Sequence, residues 1–75
     1  MPNDVQQIRV ESLPITLAQF LKWCGAVLTG GQAKELIQAG QVQLNGELCL
    51  QPGRKLQPGD LIDLQGNQWQ LVLPE

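Results

Sequence analysis

Apolar residues recur along this chain in two rhythms, and the changes of rhythm mark its elements. Gln6-Gln7-Ile8-Arg9-Val10-Glu11 alternates polar with apolar, the period of a strand that turns Ile8 and Val10 inward. Residues 1–4 carry no such period and read as a loose terminus, and Ser12-Leu13-Pro14 breaks the alternation. Leu17, Phe20, Leu21 and Cys24 then fall at i, i+3, i+4 and i+7, one stripe of an amphipathic helix. Thr16 and Gln19 have the spacing of a capping box, Ile15 can staple to Phe20, and Gly25 is a natural terminator. A second helix reuses these signals, with Thr29 and Gln32 as the cap pair, Ala33, Leu36 and Ile37 as the stripe, and Gly40 as a left-handed stop. Ala26 to Leu28 is all that joins the two.

Beyond Gly40 the period of two returns. Val42-Gln43-Leu44 and Glu47-Leu48-Cys49-Leu50 flank Asn45-Gly46, a strong hairpin signal, and Val42, Leu44, Leu48 and Leu50 are expected to face the core. Gln51 to Asp60 is a turn-rich connection with two Pro-Gly pairs. Leu61 to Gln65 and Gln68 to Leu73 flank Gly66-Asn67 and predict a last hairpin. Trp69 and Leu71 share one face there, and Ile62 and Leu64 share a face of the strand opposite. The order is strand, helix, helix and about four strands, an α+β domain. No linker or low-complexity tract divides it, so residues 1–75 form a single domain.

Composition narrows the chemistry. A 75-residue chain buries only about 60% of the surface its unfolded form exposes, so its core is small. Charged residues are 16%, the net charge is −2 and the pI is near 4.8. Bulk charge therefore does not hold this protein to nucleic acid, and a local basic patch would be needed. Histidine is absent, and neither Cys24 nor Cys49 has a CxxC partner. That excludes a zinc site of ordinary spacing and His-based catalysis. The thiols are expected to be free and packed as small hydrophobes rather than joined in a disulfide. No paired carboxylates at a plausible spacing and no Walker-type phosphate loop occur, so no enzyme, cofactor, metal or small-molecule substrate is expected. Residues 1–14 lack the apolar run of a signal peptide, and no run approaches the roughly 18 residues of a membrane span. A cytoplasmic monomer is the expectation.

Several motifs match in order: Ala33, Leu36-Ile37, Gly40, Val42-x-Leu44-Asn45-Gly46, Lys55-Leu56 and Pro58-Gly59-Asp60. With the helix-turn-helix before them, they resemble the S4 RNA-binding domain over roughly Ile15 to Leu64. Leu21-Lys22 on the first helix and Thr29-Gly30-Gly31-x-Ala33-Lys34 on the second resemble more closely the small stand-alone bacterial S4-like proteins of the YaaA/YbcJ type. The resemblance implies an αL motif: two short helices packed on a small, mostly antiparallel sheet of about four to five strands. It also implies an RNA surface made by the helices and adjoining loops. The family usually opens its helices with Arg-Leu-Asp and Ser-Arg, where this chain has Thr16-Leu17-Ala18 and Thr29-Gly30. Lys34 keeps a charge that is common in the family.

The two glycines at the second helix start are the sharpest feature, because each costs about 1 kcal/mol in helix propensity against alanine. On one reading they leave the N-terminal amides bare, so that a phosphate can approach them with Lys34 one turn further on. On the other they only let a tight helix-helix turn fit. The five basic residues are Arg9, Lys22, Lys34, Arg54 and Lys55. Lys22 is either a phosphate contact or a solubilising charge, and Arg54-Lys55 either a phosphate-binding loop or a solvated one. Convergence of Lys22, Lys34, Arg54 and Lys55 on one face would reconcile an acidic protein with phosphate binding. Trp23 lies beside the apolar stripe, where it covers the core edge or offers a stacking plane to a base. Trp69 is expected in the core. Asn45 is demanded by its turn, whose tip can also touch RNA, and Asp60 closes its own turn. The candidate RNA-binding residues are thus Lys22, Trp23, Gly30, Gly31, Lys34, Asn45, Arg54 and Lys55. Their partner is structured RNA, ribosomal RNA among the choices. The alternative is a protein-protein interaction module on the same scaffold that has lost RNA binding.

Overall fold

The computed structural model describes residues 5–11 and 14–73. The expected loose terminus, residues 1–4, and the break at Ser12 and Leu13 lie outside the described residues. In chain order the elements are β1 (Val5–Arg9), β2 (Ile15–Thr16), α1 (Leu17–Trp23), α2 (Gly30–Gln38), β3 (Val42–Leu44), β4 (Glu47–Leu48), β5 (Lys55–Leu56), β6 (Leu61–Leu64) and β7 (Asn67–Val72).

Both helices begin and end at the residues whose chemistry suits those places. At α1 the box is complete: the Gln19 amide donates to Thr16 Oγ1 at 3.2 Å, and the Thr16 amide donates to Gln19 Oε1 at 2.9 Å. At α2 the Gln32 amide donates to Thr29 Oγ1 at 3.1 Å. The reciprocal half differs there. Gln32 Oε1 accepts from the amide of Leu28, one residue upstream of the cap, at 3.0 Å, and so holds the helix-helix turn. Each helix closes on a crossing pair of bonds. Gly25 and Ala26 amides donate to the carbonyls of Lys22 and Leu21, and Gly40 and Gln41 amides to those of Ile37 and Leu36. Such a pair requires a left-handed residue just past the helix, and Gly40 adopts φ +79°.

Five strands form one sheet in the order β1-β7-β6-β3-β4. β1 runs parallel to β7, and the remaining neighbours are antiparallel. The α+β, mostly antiparallel architecture is therefore as expected. A separate ribbon pairs β2 with β5, setting Ile15 opposite Leu56 and Thr16 opposite Lys55. Two-residue strands leave no alternation to see, so nothing in the sequence pattern announced it. Among the described residues no helix is long and apolar enough to cross a membrane.

The inward faces meet in one core. α1 contributes Leu17, Phe20 and Leu21, α2 contributes Ala33 and Ile37, and the sheet contributes Val42, Leu44, Ile62, Leu64, Trp69 and Leu71. Val10 is buried and Ile8 half-buried, as their alternation implies. No polar or charged residue is buried among the described ones. Both thiols are free, and burial pushes the Cys24 thiol up from its ordinary pKa.

Two expectations in the hairpins are corrected. Leu48 and Leu50 do not face the core: they are 57% and 50% exposed, and Cys49 is buried instead. The cause is register. Asn45 and Gly46 have φ +54° and +83°, a two-residue turn that sets Leu44 opposite Glu47 and Gln43 opposite Leu48. Cys49 then donates its amide to Val42 at 3.1 Å, and residues opposite each other share a face. The second turn is Gln65-Gly66, not Gly66-Asn67, with φ +53° and +87°. This turn type needs positive φ at both centres, and here glycine takes the second place, as it does in Asn45-Gly46.

Phe20 has no exposed surface. Phe20→Ala is expected to cost about 3–5 kcal/mol, much of the total stability of a domain this small, and a urea titration will show the folded baseline shortened or absent. Gly40→Ala is expected to cost about 1–2 kcal/mol, the penalty of a side chain in left-handed backbone.

Candidate nucleic-acid interface

The starts of the two helices are treated differently. At α1 the first two amides are closed by the loop before β5: Leu17 donates to the Arg54 carbonyl at 2.8 Å and Ala18 to the Pro52 carbonyl at 3.1 Å. At α2 the amides of Gly30 and Gly31 meet no such carbonyl among the described residues. A helix start concentrates unpaired N–H groups and partial positive charge, so α2 keeps the potential that α1 has spent on its own fold.

Packing does not explain the glycines. A Cβ added at Gly30 would meet nothing within 4 Å, and one at Gly31 would meet only Thr29 Oγ1 at 3.9 Å. Neither has a positive φ. The reading in which glycine merely lets the turn or the neighbouring helix fit therefore has no contact behind it. Lys34 lies exposed one turn along α2.

Lys22 and Trp23 occupy the last turn of α1, both exposed. Trp23 is anchored at the core edge and still largely open. Its Nε1–H donates to the Arg9 carbonyl at 3.2 Å, pinning the indole to the end of β1, yet 59% of its surface is open. Lys22 and Trp23 border one open groove with Val10, Pro14, Ile15 and Gln19. Trp69 is buried in β7 as expected.

Arg54 and Lys55 lie at the opposite end of α1, held there by the Arg54 carbonyl and by the pairing of Lys55 with Thr16. Lys22 is about 8 Å further along that helix, at 1.5 Å per residue. Arg54 borders a second groove with Asn45, Glu47, Leu48 and Leu50. The structure thus pairs Lys22 with Trp23 and Asn45 with Arg54, while Gly30, Gly31 and Lys34 stand on α2 outside both grooves. Asn45 is occupied by the fold. Its Nδ2 donates to Asp60 Oδ1 at 3.1 Å and its Oδ1 accepts from the Leu61 amide at 2.9 Å. One N–H of Nδ2 and the backbone of that exposed turn remain for a ligand. Asp60 also accepts from the Gln57 amide at 2.8 Å, closing its own turn as expected.

Two residues near the helices were not singled out from the sequence. Arg9 is a fifth exposed cation, its backbone carbonyl joined to Trp23 by the indole bond, a contact across 14 positions that no local pattern reveals. Leu28, at the helix-helix turn, is 86% exposed. Its signal was present as an apolar residue in a very short connection.

Comparison with known proteins matches the S4 domain family model to residues 8–72. The chain is 37% identical over 59 residues to the probable ribosome maturation protein RlbA of Bacillus subtilis, covering 79% of this chain and 83% of that one. It is 31% identical over 62 residues to the tyrosine–tRNA ligase of Ralstonia nicotianae, 83% of this chain but only 16% of the ligase. Among solved structures, the heat shock protein 15 of Vibrio cholerae, solved as a trimer, is similar with a TM-score of 0.66 at 22% identity. That match covers 73% of this chain and 55% of the Vibrio chain, and at that identity it speaks for the fold alone.

Gly30→Ala is expected to raise stability by about 0.4–1 kcal/mol, since alanine fits the open space and restricts the unfolded chain; thermal unfolding reads this directly. Asn45→Gly keeps the turn and removes the clasp to Asp60 and Leu61. It is expected to cost about 1–2 kcal/mol, with Asn45→Ala costing more because φ is positive there.

Proposed function

This chain belongs to the S4 domain family, and from that premise we propose that it is a non-enzymatic RNA-binding protein that holds the phosphates of structured RNA. The observation that carries the proposal is the uncovered, side-chain-free start of α2. Gly30 and Gly31 offer amides to a phosphate oxygen, and Lys34 adds a full charge one turn on. Lys22, at the end of α1 that leads into this turn, and the Arg54-Lys55 loop at the other end extend the contact along the backbone of the RNA. The name of the Bacillus relative, a ribosome maturation protein, makes ribosomal RNA the first class to try. The same reading takes the protein to act in the cytoplasm as a single copy.

With a net charge of −2, attraction at long range is weak and binding rests on these local contacts. Four phosphate contacts give a salt slope of about −3 to −4 in log K against log salt, so the isolated protein binds weakly at physiological salt.

A second reading has its own observation. Leu48 and Leu50 are half-exposed leucines on an edge strand and its continuation, and both lie about 4 Å from where a Cβ at Gly40 would sit. That apolar edge suits a protein partner and supports the reading of an interaction module on the S4 scaffold.

The test is titration of a ribosomal RNA stem-loop at low and moderate salt with wild type, Lys34→Glu and Arg54→Glu. Each charge reversal is expected to weaken binding at least tenfold at low salt and to flatten the salt slope by about 1 or more. Binding that is absent, or indifferent to both changes, overturns the RNA reading and leaves the leucine edge as the functional surface.

A further inference from the structure

The groove beside Trp23 has a composition that phosphate binding alone does not use. It is an open space of about 560 Å³ bordered by Val10, Ile15, Gln19, Lys22 and Trp23, with Pro14 at its rim. Val10 and Ile15 are buried and supply an apolar floor. Trp23 supplies an aromatic wall whose orientation is fixed by its Nε1–H bond to the Arg9 carbonyl. Gln19 Oε1 is occupied by the Thr16 amide, which leaves the NH2 of that carboxamide as the end able to donate to a ligand. Lys22 adds a cation, and among the described residues no carboxylate borders the space.

A flat apolar ring, one or two hydrogen-bond acceptors and an adjacent anion are together the chemistry of a single nucleotide. A base inside a duplex is stacked on both faces and cannot present its ring, so the ligand must be an unpaired one. We propose that this groove receives one unpaired nucleotide, its base stacked on Trp23 and facing Gln19, its phosphate on Lys22. The preferred RNA is then a stem with a bulged or looped-out nucleotide rather than a continuous duplex. The inference rests on the RNA reading above and narrows it: the helix tip and loop hold phosphates, and the Trp23 groove selects for a displaced base. An anchored aromatic is suited to this because little side-chain freedom remains to be lost on stacking.

The experiment compares two RNA stems of identical sequence, one fully paired and one carrying a single bulged nucleotide. Wild type is expected to bind the bulged stem about tenfold more tightly, within the range base–aromatic stacking supplies. In Trp23→Ala the ratio of the two affinities is expected to fall to near one. Trp23→Phe retains a stacking plane but loses the bond to Arg9, and keeps part of the ratio. Emission provides a second readout. Trp69 is buried, so the bulged stem quenches wild type through Trp23 and leaves Trp23→Phe nearly unchanged. A ratio near one in wild type, the result expected if the groove takes a protein side chain instead, overturns the inference while leaving phosphate binding standing. A tenfold ratio that survives Trp23→Ala also overturns it. Failure to bind either stem removes the RNA reading itself, and the inference with it.

Discussion

The seating of the Pro52–Leu56 segment on the start of α1 is the contact on which the arrangement depends. Two backbone amides of the first turn are closed by the Arg54 and Pro52 carbonyls, and the β2–β5 ribbon continues the attachment through Ile15 and Leu56. Helix pair and sheet are otherwise joined mainly by side-chain packing, which is non-directional and leaves rotation weakly specified. Hydrogen bonds to named carbonyls are directional, so this segment sets where α1 points. It also carries Arg54 and Lys55 to that place. The same contact consumes the positive end of α1, leaving α2 as the helix whose start remains available.

That division bears on how an acidic domain can meet a polyanion. Seven carboxylates outnumber five cations, so attraction must arise from where charges sit. Two acids are turned to internal work: Asp60 closes a turn and accepts from Asn45, and Asp63 accepts from Gln68 Nε2 at 3.1 Å. The cations, by contrast, are all exposed. Long-range steering is weak under these conditions, so the proposed RNA contact would rest on short-range groups such as backbone amides, an anchored indole and single lysines.

What could be read from the sequence was what local chemistry determines. The caps at Thr16 and Thr29 and the stops at Gly25 and Gly40 involve partners within five residues, and the helices stand where those signals put them. Trp69 and the stripes of α1 and α2 were legible because burial follows period. The failures share one cause, which is that they depend on pairing. Leu48 and Leu50 alternate correctly within their strand. Which parity points inward is decided by the partner across the Asn45-Gly46 turn, and counting from Val42 would have chosen Cys49. The β2–β5 ribbon and the Trp23–Arg9 contact join residues far apart in the chain, and neither leaves a periodic trace. For the candidate site, the residue types were visible. The sequence did not reveal that Asn45 is occupied, or that α1 is closed while α2 is open.

The glycines at the start of α2 then acquire a physical meaning. A domain of this size has a total stability on the order of 4–11 kcal/mol, and two glycines forgo up to about 2 kcal/mol of helix propensity. Where glycine serves the fold here, as at Gly40, the backbone is left-handed and a neighbour is close. At Gly30 and Gly31 the backbone is ordinary and a side chain would meet at most Thr29 Oγ1 at 3.9 Å. A helix start that gives up stability with no packing return is what the proposed phosphate contact would explain.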